Sequence, residues 1–216
     1  MILHRARILA WLAWDAASFF TWLAKRPWYT ELHLQWVNTL SFEVGTKALE
    51  VGCGPGLLSV HLSDRGVKVT GIDRSAAMVE RAQKNLPGAT FIEGDAMDLP
   101  LAGNTMDVAF GASVVNVVPE PQKLIQELTR VVRHEGQVSV LFPTPRLGEK
   151  TATIAKHLGI EGLSAAALET WGAKAPKREP SVIKTLFENA GLHEISTELF
   201  FEDTIASVSG RVGTAR

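Results

Sequence analysis

The segment Leu49-Glu50-Val51-Gly52-Cys53-Gly54-Pro55-Gly56 decides the fold of this chain. A short apolar run, typical of one buried strand, ends here in three alternating glycines, and a helical pattern over residues 57–65 follows at once. Because glycine has no Cβ atom, a ligand can approach the backbone closely at such a turn. The segment therefore predicts a strand-to-helix turn that binds a polar cofactor.

The spacing of these glycines distinguishes between cofactors. A dinucleotide site has the pattern G-x-G-x-x-G, whereas Leu57 stands at the third position here and Pro55 lies inside the motif. A phosphate-binding loop needs Gly-Lys-Ser/Thr, which this segment lacks. The spacing disfavours a nicotinamide-dependent oxidoreductase and indicates a cofactor without a pyrophosphate.

Outward from this segment, strands and helices alternate, which predicts a doubly wound α/β sheet whose ligands bind at the carboxyl ends of the strands. Ser75 can cap the second of these helices. The predicted strands cover residues 47–51, 67–73, 89–93, 106–111, 137–142, 194–201 and 204–211, and the helices 57–65, 75–86, 121–133 and 182–189.

A chain of 216 residues is expected to form one domain. Residues 1–44 predict an N-terminal helical cap, with helices over about 8–24 and 29–42, and residues 45–142 a cofactor-binding core. Residues 143–180 predict a lid insert with short helices at 150–158 and 164–171, and residues 181–216 a C-terminal helix and hairpin.

Composition excludes several classes of function. The formal net charge of -1 argues against a nucleic-acid partner, which requires a basic surface. Cys53 is the only cysteine, so an internal disulfide or a Cys-rich zinc site is excluded. No catalytic metal is expected, and a cytoplasmic location fits this cysteine usage.

Carboxylates follow two further predicted strands. Asp73 can accept hydrogen bonds from both hydroxyls of a ribose, although it could instead only cap the next helix, a role for which Ser75 is available. After the third strand, Gly94-Asp95-Ala96-Met97 places a carboxylate beside apolar atoms, which suits the amine and the face of an adenine. Three strand ends therefore point at one nucleoside.

With these motifs the chain resembles the class I S-adenosylmethionine-dependent methyltransferases, in the small-molecule branch similar to the ubiquinone/menaquinone methyltransferase-like "type 11" enzymes. The resemblance runs from about Ala48 to Pro145, and its motifs occur in the family's order. It implies a Rossmann-like sheet of seven strands in the order 3-2-1-4-5-7-6 with strand 7 antiparallel. The motifs read ALEVGCGPG, VTGIDRSAAMVERAQ, FIEGDAMDLPLAGNTMDVAF and ELTRVVRHEGQVSVLFP.

The resemblance also implies S-adenosylmethionine, converted to S-adenosylhomocysteine, as the cofactor. Residues 50–56 would wrap its methionine moiety and sulfonium, and Asp73 would hold the ribose. Met78 or Arg74 would lie near the adenine, Asp95 and Ala96 at its edge, and Ser113 near the transferable methyl. The cofactor-binding set is Glu50, Gly52, Cys53, Gly54, Gly56, Asp73, Arg74, Met78, Asp95, Ala96, Met97 and Ser113.

The acceptor side has few candidate residues. Asn116 could orient a substrate but cannot act as a base, and it could equally be a loop residue bonded to backbone. His33 is the one histidine considered as a base, although we expect it at a solvated helix position. Residues 111–116 lack the Asn/Asp-Pro-Pro-aromatic element of members that methylate planar nitrogens, which leaves a small or lipid-like acceptor.

The N-terminal region carries five of the six tryptophans. In relatives, this region and the insert after the fifth strand form the acceptor lid, so an aromatic lid suits an apolar or cationic acceptor. Together with Arg5, Arg7, Lys25 and Arg26 it also suits peripheral contact with a membrane, although ordinary core contacts are the alternative. Asp15 interrupts the apolar run, so no stretch reaches the roughly 18 apolar residues of a spanning helix.

Two further functions stay open at this point, as does the oligomeric state. One is a non-catalytic module that binds S-adenosylmethionine. The other is a polyamine-synthase-like aminopropyl transferase, although such enzymes normally carry acidic residues after the fourth strand and residues 113–118 contain none.

Overall fold

The computed structural model describes residues 2–213, within which seven strands form one sheet. The strands are β1 (Lys47–Val51), β2 (Lys68–Asp73), β3 (Thr90–Glu93), β4 (Met106–Ala112), β5 (Val132–Pro143), β6 (Leu192–Phe200) and β7 (Ile205–Val212). Their order is β3-β2-β1-β4-β5-β7-β6, and β7 is antiparallel to both β5 and β6. The predicted Rossmann-like sheet is confirmed.

β1 lies inside the sheet because both of its faces are apolar. Ala48 is fully buried in the core on one face, together with Phe110, and Leu49 is fully buried in the core on the other. A strand covered on both faces reads as a continuous apolar run. β1 pairs in parallel with both β2 and β4, so the turn after β1 lies at the topological switch point.

Helices cover both faces of this sheet. They are α1 (Ile2–Trp14), α2 (Ala16–Leu23), α3 (Pro27–Val37), α4 (Leu57–Asp64), α5 (Ala76–Asn85), α6 (Pro121–Val131), α7 (Leu147–His157), α8 (Gly162–Lys174) and α9 (Pro180–Asn189). None of the helices between residues 2 and 213 is long and apolar enough to cross a membrane. α7 and α8 occupy most of residues 143–180, whose role as a lid stays a prediction.

The prediction of one helix over residues 8–24 is wrong. The chain forms two helices here, because Asp15 begins α2 as its N-cap and accepts a hydrogen bond from the Ser18 backbone N–H through Oδ1 at 2.9 Å. The first of the two, α1, begins at Ile2, well before the expected start.

β5 also differs from its prediction, because it begins at Val132 rather than at residue 137. Its register against β4 shifts between Met106 and Val108, and Glu135 has a φ of +59°. Gly136 passes so close to β4 that an added Cβ would lie 2.6 Å from the carbonyl oxygen of Asp107. A bulge therefore extends the strand through residues without a strand-like pattern.

α3 lies against the sheet through a buried polar contact. Trp36 is fully buried, and its Nε1 donates to Ser139 Oγ at 3.0 Å. The Ser139 and Ser209 hydroxyls are bonded at 2.8 Å, which joins β5 to β7. The Trp36 indole and both serine hydroxyls thus have partners, and these bonds fix the N-terminal helices over the face of the sheet.

Candidate active site

The turn after β1 has the conformation that its glycines allow. Gly52, Gly54 and Gly56 have φ angles of +70°, +52° and +75°, in the left-handed region. A Cβ at Gly52 would collide with Val114, and one at Gly56 would lie 3.0 Å from Ala82 Cβ. At Gly54 nothing lies within 4 Å of such an atom. Two glycines therefore allow close packing, and Gly54 faces open space that a ligand can enter.

Asp73, at the end of β2, connects this turn to the next strand end. Its Oδ2 accepts from the Gly54 N–H and its Oδ1 from the Ser75 N–H, both at 2.9 Å. Ser75 occupies the N-cap position of α5, but its side chain makes no capping bond, so the expectation that Ser75 caps this helix is wrong. Asp73 makes the local bond instead. Since each carboxylate oxygen can accept two hydrogen bonds, Asp73 can still accept from a ribose.

Glu50 is a buried carboxyl beneath the same turn. It is 5% exposed, and its Oε2 accepts from Ser59 Oγ at 2.5 Å. Burial raises the pKa of Glu50 to about 8; the charge of Asp73 also raises it, whereas the hydrogen bonds from Ser59 lower it. A cationic group bound beside Glu50 would compensate its carboxylate for lost hydration. A carboxyl with such a raised pKa at the end of a central strand is a candidate functional group.

Cys53 lies in this turn and is buried. Burial is also the main cause that raises the pKa of its thiol, and the charges of Glu50 and Asp73 act in the same direction. Cys53 therefore stays a thiol at neutral pH, which gives it no role as a nucleophile.

The remaining residues predicted at the adenine follow β2 and β3, and one of them, Met78, lies in the first turn of α5. Asp95 is exposed, and its Oδ1 accepts from the Met97 N–H at 2.8 Å. Ala96 and Met97 are half-buried. Arg74 is exposed, whereas Met78 is 7% exposed. Of the two side chains considered for the adenine, Arg74 is thus the one that is accessible to solvent.

Ser113 and Asn116 follow β4 at the same edge of the sheet. Ser113 has a φ of +55°, which is strained for a residue with a Cβ, and its N–H donates to the Leu141 carbonyl at 2.7 Å. Asn116 is 2% exposed, and its Nδ2 donates to the Pro176 carbonyl at 3.0 Å. Its Oδ1 has no hydrogen-bond partner among residues 2–213. Asn116 therefore bonds to backbone, but to that of the 143–180 segment, and retains one buried acceptor.

The expectation of a solvated His33 is wrong, since this side chain is 5% exposed. α3 has apolar residues around much of its circumference, and His33 packs with its ring centroid 4.2 Å from that of Tyr29. Its Nδ1 lies 2.7 Å from the Tyr29 carbonyl oxygen. Burial lowers the pKa of His33 to about 4, against the opposing effect of that bond. His33 is therefore neutral at physiological pH and a weak base.

Tyr29 was not among the predicted site residues. Burial raises the pKa of its hydroxyl to about 12, and the charge of Glu50 acts in the same direction. Tyr29 packs against the apolar cluster that contains Ala48 of β1. Because side chains alternate along a strand, Glu50 points to the same face of the sheet as Ala48, and Tyr29 lies on that face.

Two further contacts at this edge join residues far apart in sequence. Asn85 Nδ2, at the end of α5, donates to the Pro55 carbonyl at 2.8 Å. Arg81 donates to Thr21 Oγ1 at 2.7 Å and to Ser18 Oγ at 2.9 Å. The first contact fixes the glycine turn against α5, and the second ties α2 to α5. No spacing in the sequence indicates either contact.

Several known proteins with similar sequences are named as methyltransferases. Residues 49–140 match the family model of a methyltransferase domain. The chain is 33% identical over 104 residues to a demethylmenaquinone methyltransferase of Paenarthrobacter aurescens, covering 48% of this chain and 41% of that protein. It is 37% identical over 120 residues to a phosphatidylethanolamine N-methyltransferase of Cereibacter sphaeroides, covering 53% and 59%. The chain spans about half the length of the curated relatives it matches.

A solved structure from Thermotoga maritima is similar over nearly the whole chain. It is described as an S-adenosylmethionine-dependent methyltransferase, possible histamine N-methyltransferase. The TM-score is 0.68 at 21% sequence identity, with 95% of this chain and 99% of that chain covered. At this identity the similarity shows a shared fold.

Proposed function

We propose, from the match of residues 49–140 to the family model of a methyltransferase domain, that the protein transfers a methyl group from S-adenosylmethionine to a small-molecule or lipid-like acceptor. The proposal rests mainly on the turn after β1. There the Gly54 N–H is bonded to Asp73, while the Cβ direction of Gly54 leads into open space. This is a preformed cradle for a ligand between two strand ends.

S-adenosylmethionine is the cofactor that the domain implies, and the residues at this edge fit its parts. The Glu50 carboxylate suits the positively charged amino group of a methionine moiety. Asp73 suits the two hydroxyls of a ribose, and Asp95 with Ala96 suits an adenine edge. Such residues bind and orient; none of them has to form a bond with the substrate.

When bound, the cofactor supplies a methyl group on a sulfonium, which needs no further activation for in-line displacement. The residues of the chain then have to align and desolvate the acceptor. We propose aromatic rings from two segments for this role. The Trp171 ring centroid of α8 lies 6.4 Å from that of Trp28 and 6.1 Å from that of Tyr29, both in α3. This aromatic contact joins the N-terminal helices to the insert after β5 and would exclude water from the acceptor.

The histidine does not provide strong base catalysis. The low pKa of His33 makes it a weak proton acceptor at neutral pH. We therefore favour a mechanism in which alignment of the acceptor with the methyl group provides most of the rate acceleration. Suitable acceptors are those whose nucleophilic atom loses its proton easily, or loses it after methyl transfer. The names of the two curated relatives, which describe a demethylated quinone and an amino phospholipid as substrates, are compatible with such acceptors.

Asn116 is the candidate for orienting the acceptor. Its Nδ2 is held by the Pro176 carbonyl, which leaves the buried Oδ1 as a hydrogen-bond acceptor without a donor. An N–H or O–H group of the substrate would supply that donor. Asn116→Ala should then lower turnover and leave S-adenosylhomocysteine binding unchanged, and equal losses of both would contradict an acceptor-side role.

Calorimetry followed by mass spectrometry tests the proposed activity. Purified protein should bind S-adenosylhomocysteine and should not bind NADH; the reverse result would refute the cofactor assignment. The protein should then add one methyl group to a demethylated naphthoquinol or to phosphatidylethanolamine in vesicles. Cofactor binding without transfer to any acceptor of these classes would favour a non-catalytic binding module. A location in the cytoplasm, or at a membrane periphery, stays part of the proposal.

A further inference from the structure

α1 presents an apolar face to solvent. Its Ile8 is fully buried on the side that packs against α8. On the opposite side Trp14 is 93% exposed, Leu3 80% and Leu9 42%. At 3.6 residues per turn, these residues and three exposed alanines fall within an arc of about 140°. The exposed apolar face consists of Leu3, Ala6, Leu9, Ala10, Ala13 and Trp14.

Basic residues border this face on both sides. Arg5 and Arg7 are exposed and lie at its two opposite borders, and α1 contains no acidic residue. Asp15, the one acidic residue between positions 2 and 26, is engaged by the Ser18 N–H and lies 3.9 Å from Arg81. Phe20 of α2, the helix that follows α1, is 42% exposed.

We propose that this face of α1, together with Phe20, docks on the surface of an anionic lipid bilayer. Exposed aliphatic and tryptophan side chains enter the boundary between headgroups and acyl chains, and flanking arginines bind anionic headgroups. The 13 residues of α1 extend for roughly 20 Å, which is too short to span a bilayer, so the helix lies in the plane of the interface. The arginines at both borders complement an anionic lipid surface better than they complement a second copy of the same basic face.

Docking through α1 would place the candidate active site next to the membrane. α1 packs on α8, which carries Trp171 of the aromatic contact described above, and α2 is tied by Arg81 to α5. A lipid-like acceptor could then pass from the bilayer to the site. This consequence rests on the proposed function, whereas docking itself does not.

Vesicle flotation with the full chain tests the proposal. The wild type should float with vesicles of equal parts phosphatidylglycerol and phosphatidylcholine, and much less with phosphatidylcholine alone. Leu3→Gln/Trp14→Gln should reduce partitioning by about tenfold or more, since it removes the two most exposed apolar side chains of α1. Arg5→Gln/Arg7→Gln should abolish the difference between the two lipid compositions. Val44→Gln/Leu199→Gln is the matched control, because these side chains are 86% and 51% exposed and belong to the loop before β1 and to β6.

Several outcomes would overturn the proposal. They are absence of flotation with anionic vesicles, equal flotation of wild type and Leu3→Gln/Trp14→Gln, or an equal loss in the control. If sedimentation instead shows that the wild type is a dimer that Leu3→Gln/Trp14→Gln dissociates, without vesicle binding, a second copy occupies the face. Should that variant not fold, the arginine pair, whose side chains are exposed, decides alone. S-adenosylhomocysteine binding, measured separately, tells a failure of docking from a failure of the proposed function.

Discussion

Glu50→Gln should stabilise the cofactor-free protein while it weakens cofactor binding. The pKa of Glu50 is about 8 in the fold, against 4.5 for an unperturbed glutamate. Because the folded-state value is the higher one, folding favours the protonated carboxyl. Its contribution to stability is complete below pH 4.5 and is lost as the pH rises through 8. Relative to low pH, this ionisation lowers the free energy of unfolding by about 1 kcal/mol at pH 5, about 3 kcal/mol at pH 7 and about 4 kcal/mol at pH 8.

Glutamine cannot ionise, so the free energy of unfolding of Glu50→Gln should not show this loss. Urea unfolding of both proteins at pH 5 and pH 8 should show the stability difference, variant minus wild type, growing by about 3 kcal/mol between the two. Comparing two pH values removes the constant cost of changing the contact with Ser59. Glu43→Gln, at an exposed carboxyl, is the control and should show no growth.

The same substitution should weaken S-adenosylhomocysteine binding, since the buried carboxylate that faces its amino group is gone. If the stability difference between variant and wild type does not change with pH, the pKa of Glu50 is not raised by burial. Unchanged binding together with the expected stabilisation would show that Glu50 does not contact the ligand.

Three further predictions follow from individual contacts. Gly54 and Gly191 have φ angles of +52° and +78°, and nothing lies within 4 Å of a Cβ added to either. Gly54→Ala and Gly191→Ala should therefore each lower the free energy of unfolding by about 1 kcal/mol. Only Gly54→Ala should lose S-adenosylhomocysteine binding in calorimetry, and equal binding by both variants would contradict a ligand cradle at Gly54. Asp73→Ala should weaken S-adenosylhomocysteine binding by about 2 to 3 kcal/mol. The same substitution should weaken binding of an analogue that lacks both ribose hydroxyls by much less, and equal losses of binding free energy would place the ribose elsewhere. Arg81→Gln removes the bonds to Ser18 and Thr21, so hydrogen exchange should accelerate in α2 and stay unchanged in β1; protection of α2 at the wild-type level would show that other contacts hold it.

The central sheet could be predicted because its signals are local. β1 ends in glycines whose left-handed φ angles no other residue adopts easily, and Asp73 closes β2 with bonds to residues nearby in space. Turn residues and apolar runs also mark the other strands, so the strand order followed from the resemblance that these motifs carry. β5 was predicted too short, because the bulge near Gly136 depends on contact with β4 and not on a sequence pattern.

The environment of the candidate active site could not be read from the sequence in the same way. Asn116 was predicted as either a substrate contact or a loop residue, and its bond to Pro176 spans 60 positions. The hydrogen bond between Trp36 and Ser139 spans 103 positions. Such pairs are created by the path of the chain through space, and neither residue alone indicates its partner. His33 was misjudged for the same reason, since its burial depends on which side of α3 meets the sheet.

The sequence by itself determined that a glycine-rich turn follows β1, that Asp73 and Asp95 follow the neighbouring strands, and that the sheet is doubly wound. These features depend on glycine conformation and on strand and helix periods, which short stretches of chain contain. Only the tertiary structure decided that Glu50 is buried against Ser59, and that Leu3 and Trp14 of α1 point to solvent while Ile8 points to α8. Apolar residues lie on two opposite sides of α1, so its periodicity does not indicate which side is buried, and packing makes that choice.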